Sequence, residues 1–403
     1  MWRKVKKSNV MLQGGKKLEI ESVKVHERLE KLEFSLKNRL EKDQKVLLKV
    51  RNFPKRSHFT IYYLLFQECC LLRNIKIIYS GIISNTLFGL YQATYTDADG
   101  TVKIAAATQH CPSDARRLVP CLDEPSFKAS WTVTVIHPKG TKAVSNGIET
   151  NGKGEVSGDW IISKFETTPR MSSYLLAVVV SEFDYIEGFT KSGVRVSFSF
   201  HCLQDAGIRC LEFYENFFDI KFPLKKQDMV ALPDFSFGAM ENWGLITYRT
   251  TSRYVRANEI DSAWLWFGDL VTLKWWDDLW LNEGFARFSD NRSLVSFQDD
   301  FFLPNALVKA LDADAVSSTH PLSFRVDKAA EVVEAFDRIT YEKGASVLKM
   351  LQAVIGQKNY NNAQASDLWD VFDEVVEDVK GPDGNSMKTT EFASQWTTQV
   401  SFR

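Results

Sequence analysis

The sequence predicts an α+β protein in which an N-terminal antiparallel β domain precedes a mostly helical domain. Segments in the first half alternate apolar and polar side chains, as in VRVSFSF at 194–200, a pattern typical of half-buried strands. In the second half the apolar spacing becomes helical. Residues 264–280 contain five tryptophans, too many for a surface loop, and indicate a deep core. We place the two domains at residues 1–199 and 200–403.

Composition excludes several classes of protein. The chain has 403 residues, 44% of them hydrophobic and 25% charged, which is ordinary for a globular protein of two or three domains. Its formal net charge of −1 argues against a nucleic acid or a membrane surface as partner. The six cysteines form no CxxC pair, so neither a structural zinc site nor a disulfide framework is predicted.

The N-terminal domain carries two stretches with a strand pattern. Residues 16–50 alternate in places, as in KLEIESVKV, KLEFSLKN and QKVLLKV. From 79 to 203 strand-like segments are separated by Gly, Asp and Pro turns. Segment 55–78 is apolar without a clear period and receives no assignment. The basic N-terminus lacks the apolar region of a signal peptide, and the apolar stretch 59–72 is too short to span a bilayer. We therefore predict neither a signal peptide nor a membrane segment in this chain.

The second domain has helical periodicity. AGIRCLEFYENFF at 206–218 places Ile208, Leu211 and Tyr214 near one face, together with two phenylalanines. The same spacing predicts further helices at 299–315, 328–337, 340–355 and 366–378.

Three segments carry a resemblance to a known family. They are TQHCPSDARRLVPCLDEPSFKASW at 108–131, PDFSFGAMENWGLITYR at 233–249 and WFGDLVTLKWWDDLWLNEGFA at 266–286. Each resembles a segment of the zinc aminopeptidases of the aminopeptidase N type, and the resemblance extends over roughly residues 79–400. It implies a thermolysin-like catalytic domain and the removal of single N-terminal residues from peptides by a zinc-activated hydroxide. It also implies a truncated chain, because the long helical C-terminal domain of most relatives is not expected here.

The zinc motif of that family is degenerate in this sequence. In the family, His-Glu-x-x-His is followed by eighteen residues and then by the glutamate of LNEGFA, which here is Glu283. The eighteen residues 265–282 therefore place the motif at 260–264, where the sequence is Ile-Asp-Ser-Ala-Trp. Both histidines are missing, and no two of the six histidines are four residues apart. A zinc site needs about three or four protein ligands, so we predict that this chain does not bind the zinc of its family.

The resemblance assigns roles to three residues near this motif. Glu283 matches the third zinc ligand, although a buried glutamate bonded to a tryptophan N–H or a backbone amide fits the sequence equally well. Asp261 occupies the general-base position, where without a metal it is expected to be a solvated or helix-capping acid. Tyr341, in ITYEKGASVL, matches the tyrosine that donates to the tetrahedral oxyanion, and its alternative is a core tyrosine.

The resemblance also assigns a binding site for the N-terminus of a peptide. Gly238 and Ala239 offer little bulk, so a peptide can pair with this backbone as an added strand. Glu241 would present its carboxylate to the free α-amine of that peptide. Gln109 matches a residue near the substrate's first side chain, and Cys111 stands where relatives usually have Glu. The alternatives are an ordinary edge strand and a charged loop that packs two domains. The substrate-binding residues that the resemblance implies are Gln109, Gly238, Ala239, Met240, Glu241 and Asn242.

Three hypotheses about function follow. The chain is a member of the aminopeptidase family that is inactive as written, a pseudoenzyme that binds peptides without hydrolysing them, or a non-functional product of missplicing. The third arises because the connection from residue 248 to 260 is shorter than in relatives, beside the degenerate motif. The compartment stays open, since relatives are cytoplasmic or membrane-anchored.

Overall fold

The computed structural model divides the chain into two compact units. The first consists of Met1–Glu212 and Lys221–Ile260, and the second of Phe213–Ile220 and Asp261–Arg403. The structure describes residues 3–4, 20–25, 44–51, 58–66, 74–97, 99–150, 154–199, 204–250, 263–293, 302–355 and 396–399. The predicted helix at 366–378 lies outside these residues.

The described residues form seventeen strands, all of them in the first unit. In chain order they are β1 (Arg3–Lys4), β2 (Ile20–Val25), β3 (Gln44–Arg51), β4 (His58–Phe66), β5 (Asn74–Ile82), β6 (Gly89–Thr96), β7 (Val102–Gln109), β8 (Trp131–Pro138), β9 (Lys142–Ser145), β10 (Glu155–Ser157), β11 (Trp160–Lys164), β12 (Val178–Ser181), β13 (Ile186–Phe189), β14 (Arg195–Phe198), β15 (Lys226–Leu232), β16 (Ala239–Met240) and β17 (Leu245–Arg249).

Eight strands form the first sheet, in the order β1-β2-β5-β4-β3-β8-β11-β10. Its neighbours are antiparallel except that β3 runs parallel to β8, with Gln44 opposite Trp131. The prediction of a wholly antiparallel N-terminal domain is wrong at this pair. A parallel pair needs a long crossover, which the chain between β3 and β8 supplies, and the alternation within a strand does not reveal the direction of its neighbour.

A second sheet has four strands in the order β6-β7-β12-β9 and is antiparallel throughout. Small side chains fill its centre, where Ala105, Ala106 and Ala107 are fully buried beside Val179. The predicted antiparallel pattern is confirmed for this sheet.

The third sheet has five strands in the order β13-β14-β15-β17-β16 and is mixed. Strands β14, β15 and β17 run parallel, whereas β13 and β16 pair antiparallel at the two ends. All seven residues of β15 are buried, as expected for a central strand. This order makes β16, which contains part of the predicted peptide-binding motif, an outer strand of the sheet.

Helices make up most of the described second unit. They are α1 (Gln204–Phe218, whose last turns belong to this unit), α2 (Leu279–Ser293), α3 (Val308–Asp314), α4 (Ala329–Glu334) and α5 (Gly344–Ile355). Short 3-10 turns lie at 263–265 and 276–278, and π-helical turns at 303–307 and 339–343 precede α3 and α5. The four helices predicted within the described residues are confirmed, two of them with a π-helical first part. None of the described helices is long and apolar enough to cross a membrane.

Aromatic and aliphatic side chains form the core of the second unit, as the tryptophan-rich stretch predicted. Trp280 and Phe288 from α2 pack with Leu348 and Leu351 from α5 in one buried cluster. A second group joins the end of α1 to the segment before α2, where Phe218 lies 5.6 Å from Trp266 between ring centroids. This packing fixes the helix that carries Glu283.

Candidate functional site

The predicted peptide-binding motif lies at an edge of the five-stranded sheet. Ala239 pairs with Tyr248 and Met240 with Thr247, and the Arg249 N–H donates to the Gly238 carbonyl at 3.0 Å. Met240 is buried, whereas Ala239 is partly exposed. β16 is the outer strand of this sheet, as both strand addition and its alternative, an ordinary edge strand, require.

The buried side chain of Asn242 stabilises the turn that follows β16. Its side-chain amide donates to the carbonyls of Leu245 at 3.2 Å and Met240 at 3.5 Å, and Leu245 N–H donates to the Asn242 carbonyl at 2.7 Å. The side chain is almost fully buried. Asn242 therefore shapes the turn, while the preceding residue, Glu241, is partly exposed.

Two further side chains support this turn, and neither was predicted from the sequence. The Lys226 ammonium donates to the Gly244 carbonyl at 2.8 Å, and the Asn146 amide donates to the Trp243 carbonyl at 2.8 Å. The signal for Lys226 was readable, since a lysine and an aspartate two residues apart share one face of the apolar strand KQDMVAL. The signal for Asn146 was not, because nothing in its neighbourhood marks a contact with a residue 97 positions away.

Gln109 ends β7 and is fully buried. Its amide nitrogen lies 3.4 Å from the Cys111 carbonyl, and its oxygen has no hydrogen-bond partner among the described residues. The same sheet reaches the segment before β16, where the Tyr91 hydroxyl donates to the Asp234 carbonyl at 3.0 Å. Gln109 and the edge strand thus belong to connected parts of the first unit.

Glu283 lies on α2 in the second unit and is only 5% exposed. The indole Nε1–H of Trp264 donates to its Oε2 at 2.6 Å. Burial, opposed by hydrogen bonds from Trp264 and Tyr341, raises the pKa of Glu283 to about 7. The structure therefore supports the alternative interpretation of Glu283, a buried carboxyl group bonded to a tryptophan N–H.

Tyr341 lies in the π-helical turn 339–343 and hydrogen-bonds to Glu283. Asp337 fixes the start of that turn, because its carboxylate accepts from the N–H groups of Ile339 at 2.9 Å and Thr340 at 3.1 Å. Of the residues that the sequence assigned to catalysis and metal binding, the structure thus brings Tyr341 and Glu283 together. Asp261 lies outside the described residues.

A close contact between α2 and α5 sets the position of Glu283. A Cβ atom on Gly284 would lie 3.0 Å from the backbone carbonyl carbon of Gly344 and 3.1 Å from its Cα atom. Two glycines facing each other allow the backbones to approach to this distance. The glycine of LNEGFA therefore has a packing role next to the glutamate.

The donor set around Glu283 does not fit zinc. An indole N–H donates only and offers no lone pair to a cation, so Trp264 cannot serve as a ligand. Within the part of the chain that the structure describes, no three His, Cys, Asp or Glu side chains are grouped to hold a metal ion. What the arrangement provides is a buried hydrogen-bonded carboxyl group.

Comparisons with known proteins identify the family. The profile described as "Peptidase M1 N-terminal domain" matches residues 3–175, and that described as "Peptidase family M1 domain" matches residues 203–396. Aminopeptidase N of Haemonchus contortus is 58% identical over 434 residues, covering 97% of this chain and 42% of the relative. Aminopeptidase Ey of Gallus gallus is 38% identical over 81% of this chain and 38% of its own length.

A human protein is a third relative. Endoplasmic reticulum aminopeptidase 1 of Homo sapiens is 37% identical over 77% of this chain and 37% of its own length. The chain spans about two fifths of the length of these relatives. The matched regions cover both the β-sheet part and the part with Glu283, and they agree with the motifs described above. The chain belongs to peptidase family M1, a family of zinc metallopeptidases, and is of the aminopeptidase N type.

Proposed function

We propose that this chain binds the N-terminal end of a peptide at residues 238–242 and does not hydrolyse it. The observation that carries the proposal is the pairing of Glu283 with the Trp264 indole at the position where the family has a zinc ligand. Hydrolysis in the family depends on a metal that activates water, and one carboxylate cannot hold zinc. The outer strand β16, followed by Glu241, needs no metal to meet an α-amine.

In this proposal, only the residues that bind the peptide keep the roles that the family resemblance gives them. Gly238, Ala239 and Met240 supply the backbone edge, Asn242 shapes the turn, and Glu241 accepts from the α-amine. Gln109 lies near the first side chain of the peptide. Asp261 and Tyr341 hold the positions of the general base and the oxyanion donor, and neither has a metal-bound water to act on.

The proposed architecture is a β domain at 1–199 followed by a degenerate, thermolysin-like peptidase domain at 200–403. Helices α2 and α5, which carry or pack against the Glu283 segment, support the second assignment. The matched family profile over residues 203–396 supports the same division.

The test is calorimetric titration of one short peptide in free and N-acetylated forms. A charge-assisted hydrogen bond contributes about 1.5–3 kcal/mol, so the free form should bind at least about tenfold more tightly. Glu241→Gln should remove that difference, whereas Tyr341→Phe should leave it unchanged. Equal affinities for the two forms in the wild-type chain would refute peptide-end binding.

Two measurements test the absence of hydrolysis. Elemental analysis of the purified chain should find no stoichiometric zinc, and aminoacyl-anilide substrates should not be cleaved. About one tightly held zinc per chain, as a three-ligand site gives, would refute this part of the proposal. Chelator-sensitive cleavage that survives Glu283→Gln would show that the active site lies elsewhere.

The second candidate is a non-functional product of missplicing. It is favoured by the alignment with the Haemonchus contortus relative. That alignment spans 434 positions, more than the 403 residues of this chain. The relative therefore has internal residues that this chain lacks. Transcript sequencing across codons 250–266 separates the candidates. A transcript that encodes His-Glu-x-x-His there would replace the pseudoenzyme proposal with an active enzyme.

A further inference from the structure

The side chain of a buried lysine on β15 hydrogen-bonds to the turn of the edge hairpin, which is formed by β16 and β17. Lys226 is 0% exposed and begins β15. Its ammonium donates to the Asp228 carboxylate at 2.6 Å, to the Gly244 carbonyl at 2.8 Å and to the Ser145 carbonyl. An ammonium has three N–H donors, so all of them are used, two of them on backbone carbonyls far apart in the sequence.

The charge of Lys226 is balanced within the first unit. Asp228 accepts on its other oxygen from the Ser197 hydroxyl at 2.7 Å and lies 3.5 Å from Arg195. Replacing a buried ion pair by apolar residues is often neutral or stabilising, whereas removing one partner is costly. Stability alone therefore gives no account of why a lysine occupies this position.

Asn146 holds the adjacent carbonyl of the same turn. Its amide nitrogen donates to Trp243 O at 2.8 Å and Leu175 O at 2.7 Å, and its oxygen accepts from Ala177 N–H at 2.9 Å. Gly244 has a φ of +82°, and a Cβ atom there would collide with the Asn146 carbonyl oxygen. The turn is therefore held closely against the end of β9.

The edge strand β16 has few backbone pairs to hold it in position. β16 has two residues, and its ladder consists of the pairs Ala239–Tyr248 and Met240–Thr247. The four residues that join it to β17 include Glu241 and end with Trp243 and Gly244. Fixing the carbonyls of those last two residues therefore sets the path of the chain through Glu241.

We propose that Lys226 is a positioning residue for the peptide-binding edge. It is fully buried and acts on a bound peptide only through Gly244 and Glu241. Its ammonium anchors the hairpin turn to β9 and β15, so that the Glu241 carboxylate is directed toward an incoming α-amine. The peptide-binding part of this inference rests on the proposed function, whereas the anchoring of the hairpin does not.

The test compares the double variant Lys226→Met/Asp228→Asn with Arg195→Met in the full chain. The double variant removes both charges, so no unpaired carboxylate is buried, and the new side-chain amide at position 228 can still accept from Ser197. Arg195→Met removes the other cation beside Asp228 and leaves the turn untouched. Titration with free and acetylated peptide should show a preference for the free form of about tenfold or more in wild type and in Arg195→Met. The preference should disappear in the double variant.

Hydrogen exchange across residues 238–249 provides the second readout, without peptide. Exchange in this hairpin should be about tenfold faster in the double variant, as expected for the loss of one anchoring hydrogen bond, and unchanged in Arg195→Met. A folded double variant with wild-type exchange and wild-type preference would overturn the inference. Equal affinities in the wild type combined with faster exchange in the double variant would reject the proposed function and retain the positioning role.

Discussion

At the residue scale, the surroundings of Glu283, including its hydrogen bond with Trp264, set the pKa of this carboxyl group. A metal ion stabilises the ionised form of a carboxylate ligand and lowers its pKa. Burial raises the pKa of Glu283 by more than the Trp264 indole N–H lowers it. The pKa of Glu283 is accordingly raised to about 7. In these surroundings the carboxyl group is therefore about half ionised near pH 7.

The first prediction concerns this hydrogen bond. Trp264→Phe keeps an aromatic ring and removes the donor, so it should lower the free energy of unfolding by about 1–3 kcal/mol, the cost of an unsatisfied buried polar group. Chemical denaturation measures the change. The control is the same substitution in a Glu283→Leu background, where the loss should be smaller because no carboxyl group remains. Equal losses in both backgrounds would contradict a coupling between the two side chains.

The second prediction concerns His137, which is buried between Thr141 and Ser163. Burial lowers its pKa from 6.5 to about 4. Because the unfolded chain takes up the proton first, stability is lost as the pH falls from 6.5 toward 4. Lowering the pH from 7 to 5 should therefore cost about 2 kcal/mol through this side chain.

His137→Gln retains polar contacts and removes the titration. The difference in unfolding free energy between the variant and wild type should therefore change by that amount between the two pH values. This comparison is needed because Glu283, whose pKa is raised from 4.5 to about 7, has the opposite effect and loses stability as the pH rises through that window. A difference that stays constant with pH would contradict the assignment for His137.

The roles that the motifs assign to single residues stay predictions, whereas one contact of Glu283 can be compared with the structure. The count of residues before Glu283 placed Trp264 at the position of a missing zinc-ligand histidine, and the chemistry of a buried carboxyl group gave a tryptophan N–H as one of three possible partners, beside zinc and a backbone amide. The sequence could not choose between that partner and a metal on composition alone. The pair of Lys226 and Asp228 was readable on one strand face, but the contact of Lys226 with the turn was not. Its other acceptors, Ser145 and Gly244, are 81 and 18 residues away and are backbone groups, which carry no signal of residue type.

At the scale of elements, α2 and α5 approach most closely at two glycines, Gly284 and Gly344, in addition to packing through the large side chains of their buried cluster. The third prediction is that Gly284→Ala destabilises the protein by about 1–3 kcal/mol, although alanine favours helices, because the new methyl group meets the backbone of Gly344. Thermal or chemical denaturation measures the loss.

Gly207→Ala in α1 is the matched control. The new methyl group would meet the end of the flexible Met229 side chain at 2.6 Å, which can move aside. We expect little net change there, since the gain in helix propensity offsets the adjustment. A Gly284→Ala variant as stable as Gly207→Ala would show that the helices separate easily.

Periodicity predicted α1, α3, α4 and α5, but it gave no assignment to segment 55–78, which contains β4, and it did not predict α2. It also did not reveal how the strands pair. The helical spacing at 206–218 predicted α1 within two residues of its observed start. Alternation predicted VRVSFSF as a strand, yet β14 pairs in parallel with β15, which follows it after a helix. Strand direction depends on long-range connections, whereas alternation reports only which face of a strand is buried.

At the scale of the whole molecule, the chain lacks internal residues that its 58% identical relative contains. The fourth prediction is that Ile260→His, Asp261→Glu and Trp264→His together do not restore aminopeptidase activity. Trp264→His also removes a large buried side chain, a change that costs about 3–5 kcal/mol.

Anilide hydrolysis, zinc content and thermal stability of the triple variant would be measured together. We expect a less stable chain without activity. A stable triple variant that binds zinc and reaches the activity of a full-length relative would show that the missing internal residues do not matter. The control is Trp264→His alone, which should show the same loss of stability.

The two-residue length of β16 has a consequence for how this chain behaves at high concentration. Outer strands with long rows of open backbone groups recruit the sheets of other molecules and promote aggregation. Strand β16 presents too short a row to act as such a template, because the turn at 241–244 follows it at once. Its shortness therefore discourages fibre growth from this edge, while the few backbone groups that it offers match the single chain terminus of the proposed function.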